Sequence, residues 1–230
     1  MSASSQVKTF FHEDTFSLTH ILSDGPGTEA AVIDSVLDYD PVTGAVSTQA
    51  ADEVIAYLQE HDLTPKYIID THVHADHLTA ARYLKKHLGA EYVMGAHVPV
   101  VQDEWAGRYN MDAAMVRGND GLDHKLKDGE TISLNGRDIR AMETPGHTPA
   151  CVTYTYDNKA FVGDTFFMPD YGTARCDFPG GDGAQLYASL QKILALGDET
   201  ELYMCHDYMP GGRELKWLTT GAEQKNTNIH

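Results

Sequence analysis

Residues 70 to 80 read DTHVHADHLTA, three histidines and two aspartates in one short stretch. The apolar run KYIID (66–70) leads into it and has the character of a buried strand. Leu78, Ala81, Leu84 and Leu88 then recur at helical spacing to about Gly89, and EYVMG is the next strand-like segment. The stretch therefore sits at the exit of a strand in a strand, helix, strand unit. Side chains two apart on an extended segment point the same way, so His72 and His74 are expected to face one ion. Asp76 and His77 are expected after the chain has turned into the helix, where they address a second position.

Upstream, β-branched and aromatic residues bounded by Asp, Gly and Pro predict strands near Gln6 to Phe11, Ser17 to Leu22 and Ala30 to Val36. A helix is expected after Ser47 as N-cap, running to about His61 with Val54, Ile55 and Leu58 on one face. Downstream, ETISLNG and RDIRAMETPG flank an Asn-Gly turn, and CVTYTYD and KAFVGDT flank Asn158, so both pairs read as hairpins. Leu186, Leu190, Ile193 and Leu194 mark a helix, and ELYMCHDY a strand ending in His and Asp. Two mixed α/β halves predict sheets packed together with helices outside. No repeat, low-complexity tract or linker interrupts the chain, so residues 1–230 read as a single domain.

Seventeen Lys and Arg against 34 Asp and Glu give a formal charge of −17. That field repels phosphate backbones and anionic membrane surfaces, which argues against nucleic acid and membrane partners. The N-terminus lacks a basic start followed by an apolar core, and no stretch approaches the ~20 apolar residues of a membrane span. A cytoplasmic protein is expected. Cys151, Cys176 and Cys205 are too few and too scattered for a disulfide framework, and each reads as a small buried hydrophobe in a reducing compartment.

More metal-ligating candidates follow the opening stretch. TPGHTPA places His147 in a Pro-bounded turn, VGDT places Asp164 at a strand end, and CHDY places His206 at another. Side chains at element ends can meet in one cleft of a layered fold. His12, His20, His61, His87, His97 and His124 have no patterned neighbours and read as surface or core residues; His230 is a chain end.

THVHADH, followed by TPGHT, VGDT and HDY, resembles the metallo-β-lactamase superfamily, with H-x-H-x-D-H and then distant His, Asp and His, over about residues 6 to 210. The resemblance implies an αββα sandwich of two mixed β-sheets with helices outside and a metal cleft at the sheet edges. It leaves two ligand schemes open. With two zinc ions, His72, His74 and His147 would hold one, Asp76, His77 and His206 the other, and Asp164 would bridge around a hydroxide nucleophile, as in a glyoxalase II-like thioesterase. With one Fe(II), His72, His147 and Asp164 suffice, and His74, Asp76, His77 and His206 become outer-shell residues that orient them.

GDTFFMPDYGTARCDFPGGD (163–182) and the later HDY resemble the persulfide dioxygenases, the ethylmalonic-encephalopathy-protein-like branch, through Arg175, Asp177 and Phe178 and then His206, Asp207 and Tyr208. This implies an oxidoreductase taking glutathione persulfide or a similar small persulfide, with O2, to sulfite and thiol. A homodimer is compatible with the family. Arg175 offers a fork for a substrate carboxylate or for Asp177, and Tyr208 either donates to a ligand or packs. Cys176 departs from the Thr of human-type members, and the segment from about residue 212 reads as short against bacterial ones. The rival readings are the zinc thioesterase and a non-catalytic, metal-stabilised, sulfide-responsive binding module. A β-lactamase is disfavoured by the absence of an export signal and of a cysteine ligand in the second site.

Overall fold

A computed structural model describes residues 5–118 and 120–230. The first half runs β1 (Gln6–His12), β2 (Ser17–Ser23), β3 (Glu29–Ile33), β4 (Val36–Tyr39), β5 (Val46–Ser47), α1 (Gln49–Glu60), β6 (Thr64–Ile69), β7 (Leu78–Thr79), α2 (Ala81–Leu88), β8 (Glu91–Gly95), α3 (Val98–Arg108), α4 (Ala113–Gly118) and β9 (His124–Leu126). The second runs β10 (Thr131–Leu134), β11 (Arg137–Glu143), β12 (Val152–Tyr156), β13 (Lys159–Phe161), α5 (Gly183–Leu194), β14 (Glu201–Tyr203), β15 (Leu218–Thr220) and α6 (Gly221–Thr227). Each half builds one mixed six-stranded sheet, in the orders β1-β2-β3-β6-β8-β9 and β10-β11-β12-β13-β14-β15. β4, β5 and β7 form a small third sheet.

Strand alternation sorts the core into layers. Leu22, Ala31, Ile33, Tyr67, Ile69 and Val93 point from the first sheet onto Leu134, Ile139, Tyr154 and Phe161 of the second, making the inter-sheet core. Their neighbours Ile21, Ala30, Val32, Ile68, Tyr92 and Met94 point the other way, onto Val54 and Leu58 of α1, Leu84 of α2 and Val98 of α3. On the outer face of the second sheet Ala160, Val162 and Leu202 meet Ile193 of α5. The result is the expected αββα sandwich. β3 and β6 carry apolar runs because they are parallel and covered on both faces. No described helix is long and apolar enough to cross a membrane.

Several local expectations are corrected. The strand foreseen over 30–36 breaks at Asp34, whose φ of 52° ends β3 before β4 departs into the small sheet. The helix foreseen from Leu78 starts only at Ala81, because Leu78 and Thr79 pair with Val36 and Leu37. Asp76 and His77 consequently lie in the loop before it. Thr48, not Ser47, precedes α1, and its hydroxyl donates to Asp52 rather than capping the helix. The last predicted strand is confined to Glu201–Tyr203. Beyond residue 212, β15 pairs with β14 and α6 follows it.

Candidate metal centre

The donors come from four segments that leave β6, β11, β13 and β14 at their carboxyl ends. One buried acid ties the first segment down. The Asp34 carboxylate accepts the Thr71 backbone N–H at 2.7 Å and the Thr71 hydroxyl at 3.0 and 3.1 Å. Gly163 packs against the same threonine, and its φ of +53° and a virtual Cβ only 2.5 Å from Thr71 Oγ1 leave room for no side chain. The two segments that supply His72 and Asp164 are therefore held against each other through Thr71.

Hydrogen-bond bookkeeping sets the histidine tautomers. Thr71 Oγ1 donates its one proton to Asp34, so at 3.0 Å it accepts from His72 Nδ1–H. His147 Nδ1–H donates to the Arg175 carbonyl at 2.8 Å. Both Nε2 atoms thus carry lone pairs, and each lies 3.7 Å from Oδ2 of Asp164. Two nitrogen lone pairs and a carboxylate oxygen facing one another in a buried site repel unless a cation sits among them. The side chains of His72, His147 and Asp164 are only 1, 6 and 9% exposed.

The other donors are arranged differently. Asp164 turns Oδ1 to His206 Nε2 at 3.4 Å, and the same nitrogen is 3.3 Å from Asp76 Oδ2. His74 points towards Asp34, 3.3 Å from its Oδ1, and stacks on His77 with ring centroids 4.3 Å apart. His72 and His74 lie ring to ring, with centroids 4.2 Å apart, but the loop between β6 and β7 is bent, and the donor atoms of His74 group with Asp76 and His77 while those of His72 group with His147 and Asp164. His72 Nε2, both ring nitrogens of His74, His77 Nε2, His206 Nε2 and Asp164 Oδ1 are buried without hydrogen-bond partners. That set of orphaned soft and hard donors fits a metal ion. Burial, reinforced by neighbouring imidazoles, holds His72 and His74 well below the ordinary histidine range and lowers His77, so all three stay neutral and able to ligate.

Arg175 fills its fork with Asp177, through Nε at 2.6 Å and Nη2 at 2.8 Å, on the exposed rim. Its backbone carbonyl, not its charge, reaches the centre, and Phe178 lies edge-on to the His147 ring at 5.2 Å. Asp207 is buried and binds Arg213 bidentately, both contacts 2.7 Å, besides the Lys216 N–H. It braces the loop after β14 and does not face the cleft. Tyr208 stacks on His206 with an interplanar angle of 9°. Cys205 is within ligand distance of Asp164 and His206, but burial pushes its thiol well up and keeps it protonated. Cys151 is likewise pushed up to about 12, and Cys176 is half-buried. The inert reading of Cys151 and Cys205 is in keeping with this.

Sequence reasoning missed Asp34, Thr71 and His230. Asp34 was hidden inside an apolar run, Thr71 passed for a spacer, and His230 sits at the end of the sequence. His230 accepts the Thr173 N–H on Nδ1 at 3.2 Å and lines the cleft. That cleft, of about 660 Å3, opens over His147 and Asp164 and is walled by Ala75, Asp76, Trp105, Phe167, Tyr171, Thr173, Ala174, Arg175, Phe178 and Tyr208.

Comparison with known proteins bears on the site. Residues 26–206 match the family model described as the metallo-beta-lactamase superfamily. A Burkholderia pseudomallei protein named "Probable metallo-hydrolase" is 47% identical over 234 residues, covering 97% of this chain and 80% of that one. A "Beta-lactamase hydrolase-like protein" of Agrobacterium fabrum is 46% identical over 224 residues; they span 97% of this chain but 52% of the relative, about half its length. Among solved structures, ETHE1 from Myxococcus xanthus superposes with a TM-score of 0.76 at 28% identity, covering 97% of this chain and 83% of that one.

Proposed function

The chain belongs to the metallo-beta-lactamase superfamily, and from that premise we propose that it is a persulfide dioxygenase holding one Fe(II) per chain on His72, His147 and Asp164. The reaction is R–S–SH + O2 + H2O → R–SH + SO3(2−) + 2H+. The S–S bond breaks, the terminal sulfur gains three bonds to oxygen, and O2 takes up the four electrons released. The observation that carries the reading is the tautomer-fixed trio: two Nε2 lone pairs aimed at one carboxylate oxygen, with both remote nitrogens already bonded to protein. Two imidazoles and a carboxylate are the ligand set of non-haem iron oxygenases. An iron ion held there supplies the redox chemistry through which dioxygen and a closed-shell sulfur react.

The chain's own groups do the rest. Thr71 and the Arg175 carbonyl fix the ring orientations, so the centre needs no reorganisation when substrate enters. Because that carbonyl belongs to the Arg-x-Asp-Phe segment, the feature that marks the branch in sequence is the one that orients His147. Phe167, Phe178 and Tyr208 line the approach and limit the water that can reach it. The likeness to ETHE1 supports the same branch. His74, Asp76, His77 and His206 serve as outer-shell residues.

The second reading is a binuclear zinc thioesterase of glyoxalase II type acting on an acyl-glutathione. It is favoured by the complete seven-donor set and by relatives named as hydrolases. Oxygen consumption with sulfite release on adding glutathione persulfide to protein purified without added metal decides between them. Uptake of one O2 per sulfite is expected; thioester hydrolysis without oxygen uptake would establish the thioesterase in its place.

A further inference from the structure

Resting on the single-ion dioxygenase reading, we propose that Ser17 is a positioning residue of the centre: its hydroxyl, backed by the Thr15 hydroxyl and the His12 ring, fixes the tautomer of His206 and through it the direction of Asp164. His206 turns Nε2 to two carboxylate oxygens, Asp164 Oδ1 at 3.4 Å and Asp76 Oδ2 at 3.3 Å. Both oxygens are acceptors, so with the one ion held by the trio that nitrogen carries the ring proton. Nδ1 is then bare, and His206 is 0% exposed, so it has no water to turn to. The buried Ser17 hydroxyl is the group that meets it, at 3.4 Å. That hydroxyl is oriented from behind. Thr15 Oγ1 lies 2.8 Å from Ser17 Oγ and 2.8 Å from His12 Nδ1, and His12 Nε2 is 3.4 Å from Asp38 Oδ1 of β4. A chain in which each hydroxyl gives one proton and accepts another runs in one direction at a time. With His206 Nδ1 as acceptor, Ser17 donates to it, Thr15 donates to Ser17, and His12 Nδ1–H donates to Thr15. A second ion on His206 Nε2 would reverse every link.

The backbone joins these segments independently of the hydroxyls. Ser17 forms a β-bridge with His206, the Leu18 N–H donates to the Cys205 carbonyl at 2.7 Å, and the Asp207 N–H donates to the Phe16 carbonyl at 3.1 Å. The hairpin of β1 and β2 therefore stays docked on the loop after β14 when a hydroxyl is removed, and a substitution reads the proton link rather than the docking. Thr15 matters because the Ser17 hydroxyl has a competing acceptor, the Thr15 carbonyl, also at 3.4 Å. A Thr15 O–H held on Ser17 Oγ steers the remaining proton towards His206. What the chain serves is the carboxylate. Asp164 offers Oδ2 to both His72 and His147 at 3.7 Å, and an imidazole N–H kept on the Oδ1 side holds it turned that way.

The test removes one hydroxyl at a time from the iron-loaded full chain and reads oxygen uptake with glutathione persulfide beside iron affinity by chelator competition. Ser17→Ala is expected to lower kcat and iron affinity about tenfold with KM unchanged, the low end of what an orienting partner contributes. Thr15→Val, one link further out at a half-buried position, should lower both about threefold, whereas Thr15→Ser keeps the hydroxyl and should stay within about twofold of the parent. The Thr15 pair decides the matter even where Ser17→Ala folds poorly, since the two variants differ in the hydroxyl and lie away from the metal ligands. Values for Ser17→Ala within about twofold of the parent, or no difference between Thr15→Val and Thr15→Ser, would overturn the proposal. No oxygen uptake by the parent would remove the dioxygenase reading instead, and the iron affinities of the same variants would still decide the role of Ser17.

Discussion

The seven candidate donor side chains fall into two groups that share one short loop yet are built to different standards. His72, His147 and Asp164 are buried, and both remote histidine nitrogens are held by the protein. In the other group the Asp76 side chain is 40% exposed, His77 Nδ1 reaches only the carbonyl of the next residue, and His74 has no hydrogen bond on either nitrogen. His206 is buried with Nδ1 3.4 Å from the Ser17 hydroxyl, and it divides its Nε2 between two carboxylates. Bonded remote nitrogens fix tautomer and direction in advance. The difference therefore separates a uniformly buried trio from a group whose ligand atoms also lie within reach of one another but which includes a part-exposed carboxylate and an imidazole with neither nitrogen bonded, and it is what favours a single-ion reading.

The largest expected effect tests the trio directly. Asp164→Ala should strip the metal and lower oxygen uptake at least about a thousandfold, beyond the ~10–100-fold usual for outer-shell changes. Metal analysis of the purified variant checks it, and retained iron would erase the distinction between the groups.

A buried histidine outside both groups sharpens the comparison from another side. His20 has both nitrogens bonded, to Thr9 and to the Met204 carbonyl, and burial pulls it down to about 4 from an ordinary 6.5. The folded state thus favours its neutral form. Its stabilisation is fully present above pH 6.5 and is lost as pH falls through the folded value, about 2–3 kcal/mol of it by pH 4.5. Urea unfolding at pH 7.5 and 4.5 should show that His20→Asn loses less stability on acidification than the parent by that amount. Metal content should not change, since bonded nitrogens without a facing carboxylate make a core residue and not a ligand.

A smaller effect probes the outer contacts. Thr71→Val removes the acceptor of His72 Nδ1–H and the donor to Asp34 while keeping the volume. Iron affinity measured by chelator competition should fall ~10–100-fold with the fold intact by circular dichroism. Smallest of all, Asp76→Ala should keep one iron per chain and lose less than about tenfold in turnover, below the range of an orienting partner. A loss as deep as that of Asp164→Ala would make the looser group a true second site.

Much of this was legible in the sequence, for reasons that differ between residues. The seven donors stood out because they cluster at element ends with apolar runs beside them. The sandwich was legible because β6 and β8 read as buried strands around a helical repeat, and because Asn135-Gly136, with φ of 51° and 74°, makes the tight hairpin turn its dipeptide announces. Asp34 was not legible: an acid after AAVI resembles a strand interior, and only the folded chain shows it holding Thr71 across 37 residues. α3 escaped because its apolar residues surround the helix, Val98 and Val101 inward and Val100 49% exposed outward. The direction of His74 escaped because alternation along an extended segment fails where the loop bends. His230 escaped because its placement depends on α6 docking against residues 167–173, through Gln224 to the Phe167 carbonyl and Ile229 to that of Pro169.

The central claim concerns how many ions the loop holds and which element they are. Anomalous scattering at the iron and zinc edges, from crystals of protein prepared without added metal, answers both at once. The account predicts one iron peak bounded by His72, His147 and Asp164 and no second peak beside Asp76, His77 and His206. Paired zinc peaks, one in each group, would contradict it.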